Sequence, residues 1–385
     1  MQSDIFSLFQ FSTIEWILFG TLCLCFMMEM FFFIFLYKKP YSYERKRATQ
    51  IIPDRELPPL SVIITSKNDS ENLEKNLPFI LEQDYPIFEV VVVNNASTDD
   101  TDMILNKLQL QYPRLYHTFV PTEAENINGK KRALTIGIKA AKYEHLVFTE
   151  PHCQPSSSQW LKAYGEAYVQ GHDIILGISK FNIDKRVRTR TFILYENLIH
   201  TLQYIAMAIR KKPFMANGEN MGYRKQHFFE NKGFSSILHI EGGEDNVFIN
   251  KTAKKKKTGV ILSSESIINS SIIDNYSTWR ILSDNYRHTK QFYKGVRSIV
   301  FDWEIFFTCF FYITYFLSTI IGIASCQYVL IAIPTLFFFI RIFTKLYIVN
   351  QTAKWLGLQK YNLNILFLDI LHAVKKPSFS FFKKN

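Results

Sequence analysis

Two stretches of the chain are apolar over more residues than the core of a soluble domain requires. Residues 16–37 carry a single charge, Glu29, and these 22 residues are enough to cross a hydrocarbon layer of about 30 Å as a helix. Residues 305–340 carry no charge and would extend about 54 Å as one helix. This length predicts two further membrane spans, at 304–324 and 327–349.

Charged residues near these spans predict their orientation. The last span is expected to run past Arg341 and Lys345, whose long side chains would reach the membrane interface. Residues 1–15 contain no Lys or Arg, whereas residues 38–57 contain several, so the N-terminus is expected outside the cell. A removed signal peptide is disfavoured, because there is neither a basic start nor a small-residue cleavage site.

The rest of the chain is then assigned to the cytoplasm. We expect a basic linker at 38–57, a cytoplasmic domain at 58–300 and a basic tail at 350–385 that returns to the cytoplasmic face. The chain is thus predicted to be an integral membrane protein, of a bacterial plasma membrane.

Short apolar runs alternate with amphipathic segments between residues 60 and 179. Continuous apolar runs of strand length occur at 60–65, 88–94, 116–120, 145–149 and 173–179. Helical spacing of apolar residues occurs at 70–83, 101–111, 130–142 and 156–169. Strands that are apolar on both faces and separated by helices predict an α/β domain with a mostly parallel central sheet flanked by helices.

The ends of these strands are where a ligand is expected. In open α/β sheets ligands bind outside the carboxyl ends of the strands, and polar residues follow three of them, at 66–69, 94–99 and 150–152. The chain has no Gly-x-Gly-x-x-Gly and no Walker A run, which disfavours a hydride-transfer dinucleotide site and a P-loop.

Charge and cysteine usage narrow the choice of partners. The formal net charge is +11, with bases in the juxtamembrane segments, in the tail and in the run 254–257, so anionic lipid is a better partner than nucleic acid. Only Cys153 lies outside the apolar stretches 16–37 and 305–340, so neither a disulfide framework nor zinc-ligand spacing is present in the domain.

Several motifs in a fixed order resemble a known family. These are "SVIITSKNDSENL", "QDYPIFEVVVVNNASTDDT", "GKKRALTIGIKAA", "HLVFTEPHCQPSSSQWL", "GENMGYRK", "GGEDNVF" and "TWRILSDNYRH". In this order the chain resembles the membrane-anchored family 2 glycosyltransferases over about residues 58–295. The resemblance implies a fold of the nucleotide-diphospho-sugar transferase type, an inverting displacement at the anomeric carbon and a divalent cation, Mg²⁺ or Mn²⁺, on the donor diphosphate.

The resemblance also implies a set of donor-binding residues. Their members are Thr65, Lys67, Asn68, Asn94, Asn95, Lys130, Lys131 and Arg287. Asn94 and Asn95 stand where the family usually has a pair that includes an aspartate; the alternative is that they form a turn and cap the next helix. Lys130 and Lys131 would lie near the phosphates, or would be solvated charges at a helix start.

The family's metal-binding Asp-x-Asp is replaced here by Glu150-Pro151-His152. One carboxylate and one imidazole shift the preference from Mg²⁺ towards Mn²⁺ or a softer ion. His152 would ligate the metal or donate to a phosphate oxygen. In the alternative interpretation the metal site has decayed and His152 is structural.

The acid pair Glu244-Asp245 matches the family's catalytic motif. Asp245 would be the general base that takes a proton from the acceptor hydroxyl, and Glu244 would support it; the alternative is a loop followed by acids at a helix N-terminus. Trp279 and His288 fit the acceptor side, although Asp284 and Asn285 depart from the usual Gln and Lys.

These features predict a membrane-bound glycosyltransferase that uses a nucleotide-diphosphate sugar and a lipid-linked or cell-envelope glycan acceptor. The segment 191–213 is either an interfacial helix for a lipid-linked acceptor or an ordinary core helix. Two other functions stay open: a processive polysaccharide synthase, disfavoured by three spans and no clear Gln-x-x-Arg-Trp, and a non-catalytic scaffold or regulatory homologue, supported by the substitutions at Asn94, Asn95 and His152.

Overall fold

A computed structural model describes residues 11–46, 53–121, 129–253, 257–295 and 299–375. Residues 1–10 of the predicted external segment 1–15, residues 254–256 of the basic run at 254–257 and residues 376–385 of the predicted tail lie outside the described residues. The chain divides into two compact units. The helical unit consists of Met1–Ser42 and Gly295–Asn385, and the α/β unit consists of Tyr43–Lys294.

The described residues contain ten strands. They are β1 Leu60–Ser66, β2 Phe88–Asn95, β3 Leu115–Val120, β4 His145–Thr149, β5 Cys153–Pro155, β6 Ile174–Leu176, β7 Ser179–Phe181, β8 Met221–Arg224, β9 Thr258–Val260 and β10 Ile268–Ser270.

The same residues contain thirteen α-helices. They are α1 Thr13–Phe31, α2 Lys39–Lys46, α3 Ser70–Leu81, α4 Thr101–Gln111, α5 Gly129–Ala140, α6 Trp160–Val169, α7 Arg190–Ile209, α8 Lys225–Glu230, α9 Asn246–Thr252, α10 Tyr276–Lys290, α11 Val300–Ala324, α12 Val329–Trp355 and α13 Ile365–Lys375. A π-helical segment, Phe32–Tyr37, continues α1. The helix α2 lies within the predicted linker at 38–57, so part of this linker is helical.

The α/β unit is built on a seven-stranded sheet in the order β3-β2-β1-β4-β8-β6-β9. Four of the six neighbouring pairs are parallel, and β8 is antiparallel to both β4 and β6. The predicted α/β fold with a mostly parallel sheet is therefore confirmed. A second sheet has three short strands in the order β5-β10-β7.

Strand register brings the polar strand ends to one edge of the large sheet. Ser66 at the end of β1 is opposite Asn94 near the end of β2, and Ile64 of β1 is opposite Thr149, the last residue of β4. The loops that begin with Lys67, Ala96 and Glu150 therefore leave the sheet side by side.

The prediction of one continuous strand at 173–179 is wrong. The run 173–179 is divided into β6, in the large sheet, and β7, in the small sheet. The break lies at Gly177, where a Cβ atom would be only 2.6 Å from the side chain of Asn220. The close approach of Asn220 requires glycine at this point and turns the chain from one sheet to the other.

Two predicted helices are shorter than expected. The helix predicted at 156–169 begins at Trp160, because the Ser157 hydroxyl accepts a hydrogen bond from Gln159 N (3.0 Å) and fixes a turn before it. The helix predicted at 70–83 ends at Leu81. Gln83 beyond it is buried and donates its side-chain amide to the carbonyls of Phe79 and Ser157 (both 2.9 Å).

The segment proposed as an interfacial or a core helix forms α7. Fifteen of its 20 residues are buried, and it packs against β7 and β9. The Tyr204 hydroxyl donates to the Gly177 carbonyl (2.8 Å). This burial agrees with the second interpretation, a core helix.

The helical unit contains three helices, among the described residues, that are long and apolar enough to cross a membrane. They are Thr13–Arg45, Val300–Ala324 and Val329–Trp355. The first packs against both others, with Leu22, Cys25 and Phe311 in a shared core.

The prediction that Arg341 and Lys345 reach the membrane interface is wrong. Their side chains are 1% and 5% exposed. Arg341 forms ion pairs with Glu29 and Asp369, and Lys345 pairs with Asp369. Buried acids on α1 and α13 thus hold both bases inside the helical unit, since a buried charge is stable only when it is paired.

Candidate active site

A cleft of about 280 Å³ lies in the α/β unit at the carboxyl ends of the central strands. Its walls come from the start of α5, the segment after β4, the loop before β8, the loop before α9 and the helix α10. The lining residues are Lys130, Glu150, His152, Asn217, Gly218, Glu219, Glu241, Gly242, Gly243, Glu244, Asp245, Asn246, Ile272, Leu282, Asn285, Tyr286, His288 and Thr289.

Lys130 joins two acids from different elements. Its Nζ lies 2.7 Å from Glu150 Oε1 and 3.3 Å from Glu244 Oε1. Burial by itself would lower the pKa of Lys130, but the charges of Glu150 and Glu244 hold that pKa above its ordinary value. Lys130 is therefore a permanent cation at the wall of the cleft.

Asp245 lies at the base of the cleft, directly before α9, as the N-cap residue of that helix. Its Oδ2 accepts from Gly218 N (2.9 Å) and its Oδ1 from Asn246 N (2.6 Å). Burial of the carboxyl and the neighbouring charge of Glu244 raise the pKa of Asp245 to about 6. In Glu244, burial raises the pKa, but the charge of Lys130 brings it below its ordinary value.

The glycine pair before these acids shapes their loop. Gly242 and Gly243 have φ values of +70° and +82°, in the left-handed region that favours glycine. A Cβ atom on Gly243 would lie 2.7 Å from Val247. The pair therefore lets the loop turn sharply into α9 and present Asp245 to the cleft. Asp245 caps the N-terminus of α9, as the alternative interpretation of the acid pair expected. It also faces the cleft.

His152 contacts a buried acid that the sequence pattern did not reveal. Its Nε2 lies 3.2 Å from Glu219 Oε1, which also accepts from the Ser270 hydroxyl (2.7 Å). The other oxygen of Glu219 accepts from the Asn217 amide (3.3 Å). Burial raises the pKa of Glu219, but these hydrogen bonds, that of His152 above all, hold it below its ordinary value.

These groups form a candidate site for a divalent cation. Ligand atoms of His152, Cys153 and Glu219 lie within 4.8 Å of one another. Burial raises the pKa of the Cys153 thiol well above its ordinary value, so it stays protonated and is a poor metal ligand. His152 and Glu219 remain, and an imidazole with a carboxylate fits a cation of the Mn²⁺ type. Glu150, the other predicted ligand, lies 2.7 Å from Lys130 Nζ and is not part of this group.

Helix α10 forms the opposite wall of the cleft. Its predicted acceptor-side residue His288 lines the cleft together with Asn285, Tyr286 and Thr289. The Thr289 hydroxyl accepts from the Asn246 amide (2.9 Å), which ties α10 to the residue after Asp245.

Two predicted residues of α10 lie outside the cleft lining. Arg287 is paired with Asp284, with 3.4 Å between Nη1 and Oδ1. Trp279 packs its ring on Phe192 and Tyr276, each with a centroid distance of 5.3 Å.

The predicted donor-binding residues Asn68 and Asn94 form a second group at the same sheet edge. Asn68 N donates to the Ser97 hydroxyl (2.9 Å), and Asn94 Oδ1 accepts from Ser97 N (3.0 Å), so the loops after β1 and β2 are joined. Asn68 Oδ1 also accepts from Thr98 N (2.8 Å). Through its contact with Ser97, Asn94 stabilises the turn after β2, which was the alternative interpretation of this residue.

The other predicted donor residues are placed as follows. The side chain of Asn95 lies beside Gly129, at the start of α5. Thr65 is buried and Lys67 is exposed. Lys131 is 3% exposed, and its Nζ donates to the carbonyl of Ile240 (2.5 Å), so it anchors the loop that leads to Glu244. None of the five predicted residues Thr65, Lys67, Asn94, Asn95 and Lys131 is among the lining residues of the cleft.

Glu219, Asn217 and Glu241 are cleft residues that sequence reasoning missed. Glu219 belongs to the recognised motif "GENMGYRK", but nothing in that motif shows that its carboxylate meets His152, 67 positions earlier. An acidic residue two positions before the short strand β8 was the available signal.

Comparison with known proteins defines the class of this domain. The model of glycosyl transferase family 2 matches residues 61–230, so the chain carries a family 2 glycosyltransferase domain. Among curated relatives, glycosyltransferase AglE of Haloferax volcanii is 34% identical over 108 residues, 28% of this chain and 34% of AglE. A poly-β-1,6-N-acetyl-D-glucosamine synthase of Staphylococcus aureus is 25% identical over 191 residues, 48% of this chain and 42% of the synthase. The matched part spans less than half the length of either relative.

A solved structure agrees with the fold. The mannosyltransferase PcManGT from Pyrobaculum calidifontis, solved in complex with GDP-Man and Mn²⁺, superposes with a TM-score of 0.54 at 20% identity. The match covers 89% of this chain and 98% of PcManGT. The likeness concerns the fold, an α/β domain with a mostly parallel central sheet.

Proposed function

We propose that the protein is a membrane-bound glycosyltransferase that moves a sugar from a nucleotide-diphosphate donor to a lipid-linked or cell-envelope glycan acceptor, with inversion. The observation that carries this proposal is Asp245, a carboxylate with a pKa of about 6, at the base of a cleft in a family 2 domain. A general base is most effective when its pKa lies near the working pH.

The cleft residues divide the work of an inverting displacement. Asp245 takes the proton from the acceptor hydroxyl while the acceptor oxygen attacks the anomeric carbon, and the bond from that carbon to the diphosphate oxygen breaks on the opposite face. Glu244 and the glycine loop hold Asp245, and Lys130 offers a positive charge to the departing diphosphate.

The charge of the cleft supports a divalent cation. Five carboxyl residues and one lysine line it, and a nucleoside diphosphate is itself an anion. Such a ligand is repelled unless a further positive charge enters with it. A cation held by His152 and the neighbouring carboxylates would supply that charge and polarise the leaving diphosphate. We propose Mn²⁺ rather than Mg²⁺ because of the imidazole.

The location is proposed from the apolar helices and the distribution of bases. Three helices among the described residues are long and apolar enough to cross a membrane, and the bases after the first one favour a cytoplasmic α/β unit. A cytoplasmic active site anchored at the bilayer has nucleotide sugars on one side and lipid-linked acceptors beside it.

A donor screen tests this function. Purified full-length protein in detergent would be incubated with uridine- and guanosine-diphosphate sugars in Mn²⁺ or Mg²⁺, and release of nucleoside diphosphate would be measured. We expect release with at least one donor, faster in Mn²⁺. Normal donor binding without release from any donor, in the presence of envelope glycolipids, would contradict the proposal.

A polymer-forming synthase is the second candidate function. It is favoured by several of the curated relatives, which are named as synthases of poly-β-1,6-N-acetyl-D-glucosamine. Mass spectrometry of the glycolipid product separates the two, since single addition gives one new species and a synthase gives a ladder. The intact pair Glu244-Asp245 at the cleft argues against a non-catalytic scaffold, which would have no use for a base.

A further inference from the structure

The helix α13 has two faces of different character. Its inner face packs on the rest of the helical unit, and its buried residues are Ile365, Leu368, Asp369, His372 and Ala373. An outer stripe consists of Leu363, Phe367, Ile370 and Val374, which are 68%, 65%, 41% and 64% exposed. Their spacing of three or four positions places them on one side of a helix. A continuous stripe of large apolar side chains marks an interaction surface.

The inner face fixes the depth at which α13 lies beside α11 and α12. Asp369 forms ion pairs with Arg341 and Lys345 of α12, and it accepts from the Tyr312 hydroxyl of α11 (2.9 Å). Arg341 lies about 18 Å from the start of α12 and about 21 Å from its end. Tyr312 lies about 18 Å from the start of α11. The helix α13 therefore packs beside the middle of both long helices.

Contacts on both sides of Asp369 keep α13 at this depth. Before the helix, the Asn350 side chain of α12 donates to the Tyr361 carbonyl and accepts from the Tyr361 N–H (both 2.8 Å). Towards its end, the Ala373 carbonyl accepts from Cys309 Sγ (3.9 Å), about 14 Å from the start of α11. The chain thus turns back after α12 and returns to the middle of the two long helices.

We infer that α13 is a re-entrant membrane helix, held by Asp369, whose outer stripe is covered by the acyl chains of the bilayer. With 11 residues it is about 16 Å long, too short to cross a hydrocarbon layer of about 30 Å. The inference rests on the proposed membrane location and not on sugar transfer. It moves residues 365–375 of the predicted tail from the cytoplasmic face into the membrane.

Depth and polarity favour lipid as the occupant of the outer stripe. Its neighbours α11 and α12 are both long and apolar enough to cross a membrane, so a surface beside their midpoints meets the same hydrocarbon as their own outer faces. The polar side chains of α13 point the other way: Asp369 and His372 are 2% and 5% exposed. Ionisable groups within membranes generally face the interior of the helix bundle and pair there.

The same arrangement explains the bases in the middle of α12. An unpaired charge at that depth would be costly, and α13 brings Asp369 to both Arg341 and Lys345. The Tyr312 hydroxyl accepts from Arg341 Nη1 (2.9 Å) and donates to Asp369 Oδ2 (2.9 Å), so it joins α11 to the same network. The charge of Asp369 is therefore expected to hold α13 in place.

Spin labels in a lipid bilayer test the position of the outer stripe. Full-length protein carrying Cys326→Ser, whose four other cysteines are buried or partly buried, would receive Phe367→Cys or Ile370→Cys and a nitroxide label. It would be reconstituted into vesicles of phosphatidylethanolamine and phosphatidylglycerol. Electron paramagnetic resonance then measures collisions of the label with oxygen, which concentrates in hydrocarbon, and with a water-soluble nickel chelate. Both labels should collide mainly with oxygen.

Two further positions calibrate that measurement. Phe343→Cys is on an exposed position of α12, and its label should show the same preference for oxygen. Leu110→Cys replaces an exposed leucine of α4 in the α/β unit, and its label should collide mainly with the nickel chelate. The Cys326→Ser protein without an added cysteine gives the background signal.

Variants of Asp369 test whether its charge holds the helix. Asp369→Asn removes the charge, so the label at Phe367→Cys should become more mobile and its spectrum narrower. Asp369→Glu keeps the charge and should preserve most of the original spectrum. Asp102→Asn, a replacement of an exposed acid of α4, should leave the spectrum unchanged. An unchanged spectrum in Asp369→Asn would refute the role of the ion pairs.

Two results of the collision measurement would overturn the inference. A label at Phe367→Cys that meets the nickel chelate as freely as the label at Leu110→Cys would place α13 in water. A label shielded from both oxygen and the chelate would show that protein, such as a second copy of the chain, covers the stripe. These outcomes are separate from the proposed function: sugar transfer with α13 in water would refute the inference alone, and a lipid-covered α13 without transfer from any donor would refute the function alone.

Discussion

Asp245 shows how two opposing influences set the behaviour of a single carboxyl group. Two backbone N–H groups donate to it, which favours the charged form, while burial and the charge of Glu244 favour the neutral form. The second pair of effects dominates, and the pKa of Asp245 rises to about 6. The positive charge of Lys130 acts the other way and lowers the pKa of Asp245. The charges of Glu244 and Lys130 can be removed separately by substitution.

The turnover rate should therefore depend on pH through Asp245. The base works only when it is unprotonated, so kcat should be constant above about pH 7 and fall below a pKa of about 6, approaching tenfold per pH unit. Stopped-time assays of sugar transfer between pH 4.5 and 8, at saturating donor and cation, measure this profile.

Two variants should move that profile in opposite directions. Glu244→Gln removes a negative charge and should shift the acid limb to lower pH, whereas Lys130→Met removes a positive charge and should shift it to higher pH. An acid limb that stays in place in both variants would show that another group, rather than Asp245, controls the profile.

At the scale of elements, the long strands could be predicted from the sequence and the short strands could not. β1, β2 and β4 are continuous apolar runs, and these strands could be predicted from the sequence. β5, β7 and β10 are three residues long and mix polar with apolar side chains, so periodicity has too few positions to reveal them. They are formed by pairing across the chain, which tertiary structure decides.

The residues of the candidate site also fall into those that could be predicted from the sequence and those that could not. Glu150, His152, Glu244 and Asp245 were found because each follows a strand or opens a helix within a recognisable motif. Glu219 was not found, because its role comes from a contact across 67 positions. The positions of Lys131 and Arg287 relative to the cleft could not be predicted either, since a charge pattern does not show which way a side chain turns.

Asn220 joins α6 to the segments that lead into β7 and β10. Loss of its side chain should therefore destabilise the α/β unit. Its Oδ1 accepts from Trp160 Nε1 (3.0 Å) and the Tyr164 hydroxyl (2.7 Å), and its Nδ2 donates to the carbonyls of Ile178 and Ser266. Asn220→Ala leaves these buried groups unsatisfied and should cost about 3 kcal/mol. Thermal unfolding of full-length protein in detergent measures the loss as a lower Tm.

Asn106→Ala supplies the control for that measurement. Asn106 is exposed on α4 and bonds only locally to Asp102, so its replacement should change stability by less than about 0.5 kcal/mol. Equal melting temperatures for the two variants would show that the network around Asn220 does not support the fold.

At the scale of the whole molecule, the helical unit holds ion pairs that its composition did not reveal. Arg341 is buried between Glu29 of α1 and Asp369 of α13. Arg341→Met strands these two acids and should destabilise the protein by about 3–5 kcal/mol, seen as a lower Tm and a smaller yield from membranes. Lys354→Met, at an exposed position of α12, should have little effect, and an equal loss in both variants would contradict the importance of the ion pairs.

The proposed orientation can be tested with a cysteine of the natural sequence. Cys326 is exposed and lies between α11 and α12, so with an external N-terminus it should face outside. A membrane-impermeant maleimide should label it in intact cells, and Cys326→Ser should abolish this labelling.

A second cysteine serves as the internal reference for that test. In the Cys326→Ser background, Gln109→Cys on an exposed position of α4 should be labelled only after the cells are permeabilised. The reverse pattern, with Gln109→Cys labelled in intact cells and Cys326 protected, would invert the proposed topology.

The central claim is that this chain transfers sugar with Asp245 as its base, and Asp245→Asn tests it most directly. The amide keeps the shape of the side chain but cannot take a proton, so sugar transfer from the best donor should fall by about 10²- to 10⁴-fold, while calorimetry shows donor affinity within a few fold of the wild type. A variant that transfers sugar at the wild-type rate would contradict the account.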